Sequence, residues 1–303
     1  MADKKHYIGV DVGGTNVKVV ALTEAGDVIT KTQFSTNDSE LAEWSTGVRD
    51  KLASLQVDLG EPLGIGVSSP GIAGQDHRCV TWMAGRMEET VGFDWTDYLK
   101  KPFFIPVLND AKAALVGEAW LGAAKGAHNA ILLTLGTGVG GAAIVDGRLL
   151  HGACGRAGHL GHISLDPLGG RGITCCPGSL EDMIGGSTLL YRSNGKFSDT
   201  QALIDAANKG DWDARQVWLK SIQALAAGIA SLVNVLDPEV VILGGGMIRA
   251  GKDLFEPLAE AMKPIEWLPF GGDGVPVIPA TLGEFAGAIG VARFAMTFGQ
   301  ENS

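Results

Sequence analysis

The first residues of the chain alternate. In "HYIGVDV" apolar positions, several of them β-branched, take turns with small or polar ones, which predicts a strand. "NVKVVALT" and "DVITKTQFST" extend this into a meander with "EAG" as its second turn. From Ser39 to Leu55 the period changes, because Leu41, Trp44, Val48, Leu52 and Leu55 recur at helical spacing. "PLGIGVSSPG" reads as a short buried strand closed by a Pro-Gly turn, "FFIPVLND" as another strand, and "AKAALVGEAWLGAA" as a helix. The opening pattern then returns in "NAILLTLGTGVGGAAIVDGRLL": strand, glycine turn, strand, short turn, strand. Two readings of this recurrence stay open, an internal duplication of α/β halves and two unrelated hairpins. An irregular glycine-rich segment is expected from Gly152 to Gly178 and a helix-rich stretch from Leu180 to Leu236. "DPEVVILGGGMIRAG" predicts a buried strand, a glycine turn and a helix start, and "VPVIPATLGEFAGAIGVARFAM" a strand, a loop and a helix.

Composition narrows the class. With 303 residues, 46% of them hydrophobic and 19% charged, the chain can bury a large core, and its length favours two domains. The formal net charge of -10, from 24 basic and 34 acidic residues, argues against nucleic acid or an anionic membrane as the main partner. The longest apolar stretches are broken by glycine and fall short of the roughly 18 residues that span a bilayer. "MADKKHY" runs straight into a strand with no signal peptide, and four cysteines are too few for a disulfide framework, so the expected location is the cytoplasm. Glycine is abundant at 44 residues and clusters at turns: 13–14, 136–141, 169–172, 244–246 and 271–274.

The glycine turns carry candidate chemistry. Asp11 ends the first strand, and Gly13, Gly14 and Thr15 follow. Backbone N–H groups in such a turn converge on an anion if no side chain blocks it. Asp11 would face Mg²⁺ and phosphates, Thr15 would add a hydroxyl and Lys18 a positive charge; the alternative is an ordinary hairpin with a capping aspartate. Gly136, Thr137 and Gly138, in "GTGVGG", have the same logic and the same ambiguity. Gly244, Gly245 and Gly246 follow a buried strand and suit a nucleotide base or ribose lying on bare backbone. None of these is a Rossmann fingerprint or a Walker A loop. Asn109 and Asp110 end a strand and begin a helix, so either can be a helix N-cap; the functional reading makes Asp110 the base that accepts a hydroxyl proton during phosphoryl transfer.

In order along the chain, "DVGGTNVK", "SSPG", "NDAKAALVGE", "GTGVGG", "GRAGHLGH", "GSLED" and "VILGGGM" resemble the motifs of ROK-type sugar kinases, members of the actin-like ATPase superfamily. The resemblance spans about residues 7 to 298. It implies an α/β fold of two actin-like ATPase (ribonuclease H-like) domains with an interdomain cleft. The expected division is 1–118 and 119–303, with the C-terminal helix able to pack back on the first domain. It implies ATP and Mg²⁺ held at Asp11 (through water) and at the Gly136 hairpin, with adenosine near Gly244 to Gly246. The sugar would lie among Ser69, Gly71, Asn109, His159, His162 and Glu181, with Asp110 as general base. The implied reaction is ATP-dependent phosphorylation of a hexose, most simply the C6 hydroxyl of glucose; fructose and N-acylhexosamines remain open as substrates. A homodimer is implied, without nucleic acid or membrane.

Three places depart from the family pattern. The usual Glu-x-Gly-His is His159-Leu160-Gly161-His162 here, and a neutral histidine offers one acceptor nitrogen where glutamate offers two oxygens. His159 either contacts the substrate or fills space beside it. The Asn-Leu pair that the family places after a proline is missing, and either Trp82 or Arg86 takes its place unless Arg86 is a surface charge. The zinc pattern is also broken: ungapped spacing from His162 to Glu181 puts the cysteine places at Gly172, Thr174 and Ser179, leaving Cys175 and Cys176 out of phase. No structural zinc is expected. A helix-turn-helix before Asp11 has no room, which argues against a DNA-binding regulator; a catalytically silent sugar-binding protein is the remaining alternative.

Overall fold

A computed structural model describes residues 5–36, 41–85, 87–170 and 176–298, with the side chains of residues 41 and 42 excepted. The chain divides into two compact units: Met1–Gly126 with His151–Ala157 and Thr281–Ser303, and Ala127–Leu150 with Gly158–Ala280. The division expected at 118/119 would cut a continuous helix, and the observed boundary falls after it, at Gly126.

In the first unit β1 (Tyr7–Val12), β2 (Asn16–Leu22) and β3 (Val28–Ser35) form the antiparallel meander. The helix α1 (Leu41–Leu59) follows, running one turn longer than its apolar pattern suggests, and its expected start at Ser39 lies outside the described residues. Next come β4 (Gly64–Ser69), a small antiparallel pair β5 (Ile72–Ala73) and β6 (Val80–Trp82), and α2 (Trp95–Leu99). Strand β7 (Val107–Asn109) is only three residues long. "FFIPVLND" therefore pairs over its last part alone. Pro106 has no N–H to give a ladder, and the Ile105 N–H donates to Thr96 Oγ1 instead. The sheet order is β3-β2-β1-β4-β7, with β4 parallel to both β1 and β7. Trp44, Phe93, Trp95 and Tyr98 pack ring against ring beneath it.

The helix α3 (Asp110–Leu121) leaves β7, and in the second unit β8 (Ala130–Leu135), β9 (Val139–Val145) and β10 (Arg148–Leu149) form a second meander. The helices α4 (Leu180–Ile184), α5 (Leu189–Arg192), α6 (Thr200–Asn208) and α7 (Trp212–Leu236) precede β11 (Val240–Gly244) and α8 (Lys252–Met262). Strand β12 (Val277–Pro279) completes a sheet ordered β10-β9-β8-β11-β12. It repeats the first sheet strand for strand: an antiparallel meander whose first strand pairs in parallel with a later one, which in turn pairs in parallel with the last. That shared topology favours duplication over two unrelated hairpins. By length and composition α7 could cross a bilayer, but Trp218, Ile222, Leu225, Ile229 and Val233 are buried in the core of this unit.

The last helix, α9 (Ala286–Thr297), packs on β1, β4 and α3. Glycine makes the approach possible. A Cβ on Gly9 would sit 1.8 Å from the Ala288 carbonyl oxygen, and one on Gly290 would sit 1.7 Å from that of Ala113. Where α9 is entered, the Glu118 carboxylate of α3 is buried and accepts hydrogen bonds from Thr281 N, Thr281 Oγ1, Leu282 N and Ala123 N at 2.7–3.0 Å. Four donors replace the water lost on burial, so the carboxylate needs no cation.

Candidate active site

The turn between β1 and β2 is braced from behind. Thr36 Oγ1 donates to the Gly13 carbonyl at 2.8 Å, and the Thr36 N–H donates to the Thr15 carbonyl at 2.8 Å. Asp11 Oδ1 accepts from Ser68 Oγ at 2.7 Å, and Lys18 Nζ lies 3.9 Å from Oδ2. Burial raises the Asp11 pKa to about 6, against the opposing pull of Ser68 and Lys18; the charge of Asp110 pushes the same way as burial. Gly287 of α9 is the floor of this carboxylate, since a Cβ there would lie 2.9 Å from Asp11 Cγ.

At β7 and α3 the structure separates two residues that the sequence leaves equivalent. Asn109 is the N-cap: its Oδ1 accepts from Ala111 N at 3.1 Å and Lys112 N at 3.3 Å, while its Nδ2 donates to the Gly71 carbonyl at 3.0 Å. Gly71 takes a left-handed φ of 91° to present that carbonyl. Asp110 is the first helical residue, relieved of the capping role, with Oδ1 accepting from Ala111 N at 2.8 Å. Asp110 is solvent-accessible, yet the protein around it withdraws enough hydration to raise its carboxyl pKa, and the bonds from Ala111 and Asn109 oppose the rise. Water at the exposed face screens part of that effect. Ser69, by contrast, is 4% exposed; its Oγ has no hydrogen-bond partner among the described residues, and it lines a void of about 10 Å³ walled by Trp44, Phe93 and Trp95. A void of that size admits about one water-sized group, not a sugar ring.

In the second unit the β8–β9 turn meets α4. Glu181 Oε2 accepts from the Val139 N–H at 2.8 Å, and the same oxygen fills the space a Cβ on Gly138 would need. Nothing lies within 4 Å of a Cβ built on Gly136. The N–H groups of Gly186 and Ser187 donate to the Gly136 and Thr137 carbonyls at 2.9 and 2.8 Å, so the turn's carbonyls face protein. The histidine signature rides on the same hairpin: a Cβ on Gly161 would lie 1.8 Å from the Val139 carbonyl oxygen. This contact helps to place His159 at the start and His162 at the end of one 3₁₀ turn, rings near-parallel at 6.2 Å. His162 Nδ1 is buried with no hydrogen-bond partner among the described residues.

An opening of about 750 Å³ adjoins this hairpin, lined by Gly136, Thr137, Ser187, Gln201, Gly246 and Arg249 among others. Gly245, with φ 84°, is pressed on β8, where a Cβ would come within 2.3 Å of the Leu135 carbonyl oxygen. Its bareness thus already has a packing cause, whereas Gly246 lines the opening.

Residues 7–297 match the ROK family. The glucokinase of Halalkalibacterium halodurans is 32% identical over 314 residues, covering 94% of this chain and 93% of that relative. The glucokinase of Thermotoga maritima is 32% identical over 311 residues, covering 95% and 96%. A ROK hexokinase from Thermus thermophilus superposes with a TM-score of 0.85 at 28% identity, over 98% of this chain and 99% of that one.

The chain belongs to the ROK family.

It is accordingly a sugar kinase of actin-like ATPase fold. As a ROK protein it raises the question of zinc. Among the described residues no three His, Cys, Asp or Glu side chains form a metal-binding group. The Cys176 thiol donates to the His162 carbonyl at 3.0 Å, while Gly172, Thr174 and Cys175 lie outside the described residues, as does Arg86. Among the described residues, His162 and Cys176 alone do not make a tetrahedral site. Trp82, the other candidate for the sugar loop, is 49% exposed on β6. The sequence reading missed Ser68, Thr36, Gly287, Ser187 and Arg249. Only Ser68, the first residue of the "SSPG" match, carried a local signal; the others reach the site by tertiary packing.

Proposed function

We propose that this ROK kinase transfers the γ-phosphoryl group of ATP to the C6 hydroxyl of glucose or a closely related hexose, with Asp110 as the general base. The observation that carries the reading is the division of labour at α3: Asn109 caps the helix, and the Asp110 carboxylate beside it stays accessible with a raised pKa. A base poised upward toward neutrality takes the hydroxyl proton as the sugar oxygen attacks phosphorus and ADP departs. Glucose is favoured by the two relatives named glucokinase at 32% identity.

Asp11 suits a hard cation: its carboxylate is fixed by Ser68 and only weakly neutralised by Lys18 at 3.9 Å. Magnesium bound there through water would offset charge on the β- and γ-phosphate oxygens. Gly13, Gly14 and Thr15 in one hairpin and Gly136, Thr137 and Gly138 in the other offer backbone N–H groups and hydroxyls to those phosphates. The Gly246 and Arg249 side of the 750 Å³ opening takes the adenosine, with Gly244 and Gly245 as its backing. Asn109, Gly71, His159, His162 and Glu181 are the residues proposed for the sugar hydroxyls. His162 Nδ1, buried without a hydrogen-bond partner among the described residues, gains one when a hydroxyl arrives.

The test is Asp110→Asn with sugar and ATP binding measured separately from turnover. Binding persists while kcat falls on the order of 10²–10⁴-fold. A variant that keeps more than half its rate removes Asp110 from the chemistry. ADP release across glucose, mannose, fructose and N-acetylhexosamines identifies the substrate.

A further inference from the structure

The second unit holds another cavity, of about 760 Å³, that shares no lining residue with the opening beside the phosphate hairpin. Leu165, Met183, Phe197 and Trp212 give it apolar walls, and Arg192 and Lys220 give it positive charge. Arg192 is the unusual member. Its Nε donates to Thr188 Oγ1 at 3.0 Å, one terminal nitrogen to Ser221 Oγ at 2.6 Å, and the other to the Gly185 carbonyl at 2.9 Å. All three acceptors are neutral. Among the described residues no carboxylate lies within ion-pair distance of the guanidinium, and desolvation lowers its pKa to about 10. A partly buried guanidinium without a counter-charge is unfavourable unless something else neutralises it. It has five N–H donors, and these bonds leave two of them free. Lys196, at the rim, is already paired with Asp213, whereas Lys220 has no ion-pair partner among the described residues.

We propose that this cavity binds a compact organic oxyanion, its carboxylate or phosphate group on Arg192 and Lys220 and its apolar body against Phe197 and Trp212. The same guanidinium holds the Gly185 carbonyl, and the next two N–H groups, of Gly186 and Ser187, hold the Gly136 and Thr137 carbonyls of the phosphate hairpin. Occupancy of the cavity therefore reaches the nucleotide site through one short turn, and the anion acts as an effector of ATP binding.

The experiment is calorimetry on the full chain, saturated with sugar and a non-hydrolysable ATP analogue so that the active site is closed to the probe. The probes are benzoate, phenyl phosphate and inorganic phosphate. One equivalent of benzoate or phenyl phosphate binds, the tighter of the two identifying the head group, and inorganic phosphate binds about tenfold more weakly for want of apolar contact. Lys220→Ala, an exposed change, weakens binding about tenfold through the lost charge. Ala224→Trp fills the cavity from α7 and abolishes binding while phosphorylation without anion continues at its normal rate. At saturating anion the KM for ATP shifts at least about twofold, as small coupling energies produce. No heat from either aromatic anion at millimolar concentration overturns the site, as does binding that survives Ala224→Trp. An ATP KM unmoved by bound anion overturns the coupling.

Discussion

The two glycine hairpins look interchangeable in sequence, yet they seat their carboxylates in opposite ways. In the first, the carboxylate belongs to the hairpin strand, Asp11 on β1, and the glycine that makes room for it, Gly287, comes from the distant helix α9. In the second, the glycine belongs to the turn, Gly138, and the carboxylate, Glu181, comes from α4. Both pairs are in tighter contact than any Cβ would tolerate. The difference lies in what the carboxylate can then do. Asp11 is short and fixed by Ser68, which suits holding a cation in one place. Glu181 has one oxygen on the Val139 N–H, and in the site proposed above the same side chain would meet both a sugar hydroxyl and the phosphate hairpin. The duplicated topology thus carries its carboxylate on the hairpin strand in one unit and on a separate helix in the other.

The comparison breaks first at Gly138. Gly138→Ala puts a methyl carbon where Glu181 Oε2 lies, so the carboxylate swings off Val139. A displacement of that kind lowers kcat/KM about 10²-fold, with the KM values for sugar and ATP both rising, because one residue serves both. A change in one KM alone would separate the two roles. Gly287→Ala presses on Asp11, a shorter lever, and lowers activity about tenfold, with a raised Mg²⁺ requirement as its signature. Magnesium titrations of the two variants distinguish the hairpins: only the Asp11 side shifts.

Charge supplies the next test. Because the folded-state pKa of Asp11 is raised to about 6 from 3.8, the folded protein holds this proton more tightly than the unfolded chain does. Asp11 thus weakens stability as pH rises from about 4 through 6, and the full penalty stands at neutral pH. Asp11→Asn should raise the thermal midpoint at pH 7, a gain of about 1–3 kcal/mol, and the gain should vanish near pH 4, while activity is lost. In the wild type, kcat/KM falls on the acid side near pH 6 as Asp11 takes up its proton, and Asp110, whose pKa is also raised, acts in the same direction. A profile flat to pH 5 would contradict the raised pKa. The smallest effect belongs to Gly136→Ala: with open space around the new methyl, stability stays within about 0.5 kcal/mol, and any loss appears in ATP binding alone.

Much of the fold was legible because periodicity is local. The opening meander, its echo after residue 129, the helix after Asp110 and the closing strand-loop-helix all follow from side-chain alternation and spacing, and the structure has each. The missed elements are short. The pair β5 and β6, and the helix α2 between loops, contain too few residues for a period to show. The shortening of the strand at Val107 was readable in principle, since Pro106 removes a donor.

What the sequence determined by itself is the inventory: which residue types stand at strand ends, where glycine is required, and in what order. Asp11 and Asp110 were visible as chemistry in the residues themselves, and Glu181 and the two histidines entered through the family resemblance. The tertiary structure decided which of two neighbours does which task and which glycine serves which partner. Asn109, and not Asp110, caps the helix because of a hydrogen-bonding geometry set where β7 hands over to α3. The need for glycine at 9, 138, 161 and 287 comes from backbone or carboxylate atoms contributed by other elements of the same unit. Such contacts depend on packing distances of a few ångström between segments far apart in the chain, and no local pattern of hydrophobic and polar positions encodes them.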